Sequence, residues 1–339
     1  MKGRQIVLDT LRGLPAAALL IDGKLDDLLI DPGTALAPGA ILRGTVDRAV
    51  KGGAFVKLPG GQGYLRGGGT LKPGRSVLVQ ISSRPEPGKA APLSNRLVFK
   101  GRTVIITPGA EGINLSRQIK GEEERARLRS AVDTAASANT AHGIVVRTAA
   151  TGTKADEIAK EVDQFLAQAD LVLAAMTGAP EVMVPAPGTH ELARREWLAD
   201  GDDLVEDPGA FDALGISDAI EALRRVEAPL PNGSITVEPT RALVAIDVNT
   251  GADFSPAAGL KANLAAAREL PRQLRLRGLG GQIVVDFAPM PKKDRRTLEE
   301  ALKKALRADP VETSLVGWTT LGHYELQRKR ERRPLHEVL

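Results

Sequence analysis

Two apolar runs in this chain end in a carboxylate: Ala242-Leu-Val-Ala-Ile-Asp247 and Gln282-Ile-Val-Val-Asp286. Such runs read as buried strands of an α/β sheet. An acid there costs several kcal/mol unless it is paired, bound to a cation, or carried to the strand end. At strand ends, two aspartates would enter the crevice where such sheets place their sites. On neighbouring strands they would form a hard, all-oxygen pair suited to magnesium. Asn249 follows Asp247 by two residues, so a continuing strand places both on one face. The other reading is that each Asp caps the turn or helix after it.

A third pattern is Gly143-Ile-Val-Val-Arg-Thr148, an apolar strand ending in a guanidinium beside a hydroxyl. Arg147 and Thr148 there suit a phosphate, with a structural ion pair as the alternative for the Arg. Charge is concentrated elsewhere. Residues 39–107 hold twelve Lys or Arg against Asp47 and Glu86, so this segment carries +10 while the chain totals +4 and the remainder −6. A field of that kind suits a polyanion, a solvated basic surface being the bland account. Phe55 and Tyr64, two of only eight Phe and Tyr residues, lie in it. Aromatic faces among cations suit stacked bases, although Phe55 also alternates as a core residue would. His142, His190, His323 and His336 show no ligand spacing and read as structural or surface residues.

There is no cysteine, which excludes disulfides, thiolate zinc sites and cysteine nucleophiles. Neither a signal peptide nor an apolar run near ~20 residues is evident, so the expectation is a cytoplasmic protein without a membrane span.

The elements that must position these groups follow from periodicity. Residues 3–31 read as a three-strand meander, and residues 39–107 as a small OB-type barrel of short strands and glycine bends. A helix is expected at 119–137, a strand at His142–Thr148, and a long amphipathic helix after Lys154. The acid-rich stretch 200–212 reads as an exposed loop. A hairpin around Thr240, a helix at about 260–277 that Pro271 would kink, the Asp286 strand, a further helix and the strand Thr313–Thr320 complete an α/β section. The remainder, from Glu325, reads as a basic tail.

Ala-Leu-Val-Ala-Ile-Asp-Val-Asn-Thr-Gly, the tract from Asn263 to Met290, and Tyr-Glu-Leu-Gln-Arg-Lys-Arg resemble the catalytic core of the ribonuclease E/G family. The Gly143–Gly152 segment resembles that family's 5′-sensor, and Gly112–Arg125 the junction before it. The resemblance implies an α/β multidomain fold. An RNase H-like domain would be split between residues 1–38 and 183–222. An S1-type OB barrel would occupy 39–118, a 5′-sensor 119–182, and a DNase I-like catalytic subdomain 223–339. It implies Asp247 and Asp286 as metal ligands and Asn249 as the residue orienting the scissile phosphate. It places Arg147 and Thr148 on a 5′-monophosphate, with backbone contacts from Gly101 and Ile105, and Phe55, Tyr64 and Lys89 on single-stranded RNA. Two departures are plain: Glu312 stands where an arginine assists the sensor, and Leu321 where an aromatic is usual. The family's C-P-x-C zinc motif is also missing.

The expected function is a Mg²⁺-dependent endoribonuclease, with Mn²⁺ as a substitute, leaving 5′-phosphate and 3′-hydroxyl ends in RNA processing or decay. An RNA-binding protein of the same scaffold that cleaves poorly is the alternative. A magnesium phosphoesterase acting on DNA or small nucleotides is a third. The assembly expected is a monomer or homodimer, without zinc and without a zinc-linked tetramer; the 5′-monophosphate preference expected is modest.

Overall fold

The computed structural model describes residues 3–136, 141–253, 255 and 257–339. The meander is present as β1 (Arg4–Leu11), β2 (Leu14–Ile21) and β3 (Lys24–Ile30), paired antiparallel in order. Its two turns, Arg12-Gly13 and Asp22-Gly23, have positive φ at every residue, the two-residue geometry that matches strand twist.

The barrel follows: β4 (Ile41–Val50), β5 (Gly53–Leu58), β6 (Gly61–Arg66), β7 (Ser76–Ile81) and β8 (Ala91–Ser94). The order β4-β5-β6-β8-β7 closes because β7 pairs back on β4, and β6 and β8 run parallel. This closed five-stranded barrel is compatible with an OB fold. Strand β8 has no clear trace in the sequence, being only four residues long and containing Pro92. Leu42, Val56, Leu58, Leu65, Val79, Ile81 and Leu93 fill the interior. Gly63 is required where it stands, since a Cβ would come within 2.4 Å of Leu93.

The barrel stops at Ser94 and does not run to residue 107 as expected: the residues after it pair with a later strand in a second sheet of order β11-β12-β10-β9, from β9 (Phe99–Lys100), β10 (Val104–Pro108), β11 (Ile113–Leu115) and β12 (His142–Val146). Helices α1 (Glu122–Ala135) and α2 (Ala155–Ala174) bury Leu128, Val132, Ile158 and Val162 in the core they share with Val104, Ile106, Ile144 and Val146. Strand β13 (Glu181–Val184) adds to β4, and α3 (Thr189–Trp197) follows.

The acid-rich stretch 200–212 is not simply an exposed loop. It contains β14 (Asp203–Val205), which pairs parallel with β1, and it leads into α4 (Ala210–Ala213), whose Phe211 is buried. Pairing with a strand nearly two hundred residues away overrides its polar composition. With α5 (Ile216–Ala222), α4 covers the β1–β3 sheet through Phe211, Ile216 and Ile220.

The last sheet has the order β15-β16-β17-β18-β20-β19, formed by β15 (Glu227–Leu230), β16 (Gly233–Pro239), β17 (Val244–Asn249), β18 (Gly281–Asp286), β19 (Thr313–Trp318) and β20 (Tyr324–Arg328). The hairpin around Thr240 is as expected, with the Thr240 hydroxyl accepting from the Ala242 and Leu243 N–H groups. The parallel strands β17 and β18 are joined by α6 (Ala258–Leu276), which runs on through Pro271 over nearly the range expected. Helix α7 (Arg295–Ala308) presents Leu298, Leu302 and Leu306, four residues apart, to the same side of the sheet. The basic tail is corrected too: β20 is an inner strand, and Arg328 is buried against Asp309, which also takes Arg275 at 2.5 Å.

The chain divides into two compact units, Met1–Pro32 with Asp200–Leu339, and Gly33–Ala199. Among the described residues no helix is long and apolar enough to cross a membrane.

Candidate active site and nucleic-acid interface

Strands β17 and β18 alternate buried and exposed residues, because α6 and α7 cover only one face of their sheet. The expectation of strands buried on both faces is therefore replaced: Val244, Ile246 and Val248 point to the helices, while Asp247 and Asn249 lie on the open face. Asp247 and Asp286 are register partners on adjacent parallel strands. At the usual strand spacing of ~4.8 Å, both carboxylates leave the same side of the sheet next to each other. Both residues are exposed. The Asn249 amide donates to Asp247 Oδ2 at 2.6 Å, fixing that carboxylate from its own strand.

Two groups in this site lack a sequence signal. His323 lies in the β19–β20 turn with Nε2 3.9 Å from Asp286 Oδ2. The register Val285↔Tyr324 places it there, and that pairing is not readable from spacing. Asn263, fully buried on α6, donates to the Ala288 carbonyl at 2.8 Å and accepts from the Ala288 N–H at 2.9 Å. It pins the chain just after Asp286. Tyr324 packs edge to face on both Phe287 and Trp318 beneath the same corner, with Phe287 and Trp318 tilted against each other and Arg295 4.1 Å over the Trp318 ring.

Among the described residues no group of three or more His, Asp or Glu is arranged to hold a metal. The pair Asp247 and Asp286 still fits magnesium, which keeps several waters and commonly takes one or two protein carboxylates.

On the barrel, Ala54, Val56 and Leu58 point inward and Phe55 does not, which removes the core-packing alternative for Phe55. Phe55 and Tyr64 are cross-strand partners with ring centroids 5.3 Å apart. The Arg48 guanidinium lies 4.6 Å from the Phe55 centroid, and exposed Arg66 follows Tyr64 on the same face of β6. Gly53 makes room for this arrangement, since a Cβ there would meet the Tyr64 ring at 2.5 Å. Lys89 is exposed in the β7–β8 connection, where its ammonium pairs with Glu86 at 2.6 Å.

In the β9–β12 sheet, Gly101 follows β9, and Ile105 is the register partner of Lys100. Arg147 donates to the Gly101 carbonyl at 2.6 Å and to the Arg102 carbonyl at 3.1 Å. It also pairs with Glu196 at 2.6 Å, so the structural ion pair is present. Thr148 is exposed and shares a 3.0 Å hydrogen bond with Ser116. Glu161 accepts from the N–H groups of Arg102 and Thr103, at 2.5 and 2.7 Å, which fixes the turn after Gly101. Burial opposes ionisation of Glu196, but Lys100, Arg147 and Arg195 outweigh it and hold its carboxyl below the ordinary value.

A closed five-stranded barrel bearing aromatics and cations, and a separate one-sided sheet bearing two aligned carboxylates, define a mixed α/β protein. The family model described as "Ribonuclease E/G family" matches residues 98–203 and 201–331, and the chain belongs to that family. It is 31% identical over 309 residues to Ribonuclease E of Nostoc sp., covering 79% of this chain and 45% of that protein. Against Ribonuclease E of Synechocystis sp. it is 31% identical over 310 residues, 79% of this chain and 46% of the relative. Against Ribonuclease G of Escherichia coli K12 it is 29% identical over 308 residues, 79% and 62% respectively. The chain thus spans about half the length of the first two of these relatives.

Proposed function

We propose that this protein is a magnesium-dependent endoribonuclease that cuts single-stranded RNA in processing or decay. The observation that carries the reading is the alignment of Asp247 and Asp286 on the open face of adjacent parallel strands. Those two carboxylates would hold the ion, and Mn²⁺ would substitute. Bound there, magnesium supplies a Lewis acid for the phosphate and makes water a competent nucleophile near neutral pH. Asn249 keeps one amide N–H on Asp247 and offers the other to a phosphate oxygen. Water adds to phosphorus as the P–O3′ bond breaks; the 3′ oxygen takes a proton and the phosphate stays on the 5′ end of the downstream product.

In this reading Phe55 and Tyr64 stack bases and Lys89 meets the backbone, while Arg147, Thr148 and the backbone of Gly101 and Ile105 receive a 5′-monophosphate. The layout expected above, with RNase H-like segments 1–38 and 183–222, an S1-type OB domain 39–118, a sensor 119–182 and a DNase I-like part 223–339, belongs to the same proposal. So does a monomeric or homodimeric state without a zinc link.

The test replaces Asp247 or Asp286 with Asn, which keeps shape and removes charge. Cleavage of a labelled single-stranded RNA in Mg²⁺ should fall by orders of magnitude, with melting and RNA affinity retained. Wild-type cleavage by both variants would overturn the reading; binding by the wild type without any Mg²⁺-dependent cleavage would establish an RNA-binding protein instead.

A further inference from the structure

Three cations share one acid in the β9–β12 region. Lys100 Nζ lies 3.0 Å from the Glu196 carboxylate, Arg147 Nη2 2.6 Å and Arg195 Nε 2.8 Å. Arg195 also donates to the Lys100 carbonyl at 2.9 Å, tying α3 to the end of β9. The cluster therefore keeps two positive charges in excess of Glu196. A single phosphodiester brings one negative charge, whereas a terminal phosphate monoester brings about 1.5 to 2 and three acceptor oxygens. The excess matches the end of a strand better than its interior.

The three cations are not equivalent. The Arg147 side chain is 17% exposed and is held by two backbone carbonyls besides Glu196. Arg195 is similarly covered. The Lys100 side chain is 40% exposed, and among the described residues its ammonium is engaged with Glu196 alone. Its backbone lies opposite Ile105 and next to Gly101, so it borders the backbone groups already assigned to the phosphate. Burial pushes the Lys100 ammonium below its usual value, Glu196 draws it back, and Arg147 and Arg195 press it down again. A desolvated cation crowded by others gains from an added anion.

We propose that Lys100 is a phosphate-binding residue for the 5′-monophosphate of RNA, and that Glu196 holds Lys100 and Arg147 in place until the phosphate takes over those contacts. This rests on the 5′-sensing reading above. It amends the modest preference expected from the sequence, because Lys100 supplies a donor beside Arg147.

The test measures binding in EDTA, so that cleavage does not enter. Fluorescence anisotropy is recorded with one short single-stranded RNA bearing either a 5′-monophosphate or a 5′-hydroxyl. The full chain is compared with Lys100→Met, which keeps the stem, and Lys100→Arg, which keeps the charge. A charged hydrogen bond of this kind corresponds to roughly a tenfold change in affinity or more. The expected result is a preference of the wild type for the phosphorylated strand that Lys100→Met cuts by about that factor and Lys100→Arg restores in large part. If the wild type prefers neither end, the sensing reading falls, and this proposal with it. If the wild type prefers the phosphate and Lys100→Met keeps the full ratio, Lys100 is excluded while sensing stands. Lower melting of Lys100→Met with equal loss on both strands assigns Lys100 a structural role and overturns the proposal.

Discussion

On the barrel, Phe55 and Tyr64 face outward as a pair, flanked by Arg48 and Arg66. Truncating either ring to alanine removes a stacking surface worth ~1–3 kcal/mol per base. Phe55→Ala and Tyr64→Ala should each weaken short single-stranded RNA binding, and Lys89→Ala less so, with the Mg²⁺ requirement of cleavage unchanged. Isothermal titration with and without EDTA checks this; unchanged affinity in the triple variant would take the barrel out of RNA binding. The strongest residue signals in the sequence were acids and aromatics standing where local pattern makes them costly or rare. Asp247, Asp286, Phe55 and Tyr64 were legible for that reason. His323, Asn263 and Lys100 were not, because each acquires its neighbour through pairing or packing with a distant segment, and no local period records that.

Within elements, α6 does more than cross between β17 and β18. Its Asn263 satisfies both backbone groups of Ala288, and neither would find water in that buried place. Asn263→Ala should cost about 1–3 kcal/mol of stability by leaving them unpaired. It should also lower cleavage more than RNA affinity, because the strand end carrying Asp286 loses its anchor; urea melts beside binding and rate measurements read both. A second element-scale effect concerns α1. Its Glu124 carboxyl is held at about 2 by the Arg127 guanidinium and by the Gly152 N–H in the loop before α2. A carboxyl depressed on folding stabilises the protein above its unfolded value near 4.3, and that contribution fades as pH falls toward 2. The melting temperature of the wild type should therefore drop more steeply between pH 5 and 2 than that of Glu124→Gln. Equal slopes would refute the assignment. Strands β14 and β20 show why some elements stay hidden in a sequence: one lies in an acid-rich stretch and the other opens a basic one, and both are strands because they pair with a long-range partner.

Across the molecule, charge is partitioned as the sequence implies. The basic segment folds mainly as the barrel, whereas the two aligned aspartates belong to the other unit. Binding and cleavage should then respond to different variables. Raising salt should weaken RNA affinity with a log–log slope set by the phosphates contacted. The apparent Mg²⁺ requirement of the bound complex should move far less. Parallel salt and Mg²⁺ titrations test this, and an identical dependence of both would mean that one surface serves both tasks. The α/β character, the barrel and the final helices were readable from period and punctuation. The return of residues after Asp200 to the first three strands was not, because composition carries no record of which distant strand a segment will join.

That return has a consequence for biosynthesis. The sheet begun by β1–β3 gains β14 and the first cover of its core, α4 and α5, only after roughly 170 residues of the other unit are translated. At ~5–20 residues per second the nascent meander waits about 10–30 s with its Ala- and Leu-rich face uncovered. The inserted unit, whose segments are contiguous, emerges whole during that interval. On the ribosome it should become protease-resistant first, and the amino-terminal strands, although made earliest, should be protected last. Chains arrested shortly after Ala199 and well after Ala222, probed by brief proteolysis, would reveal this inversion of synthesis order and folding order.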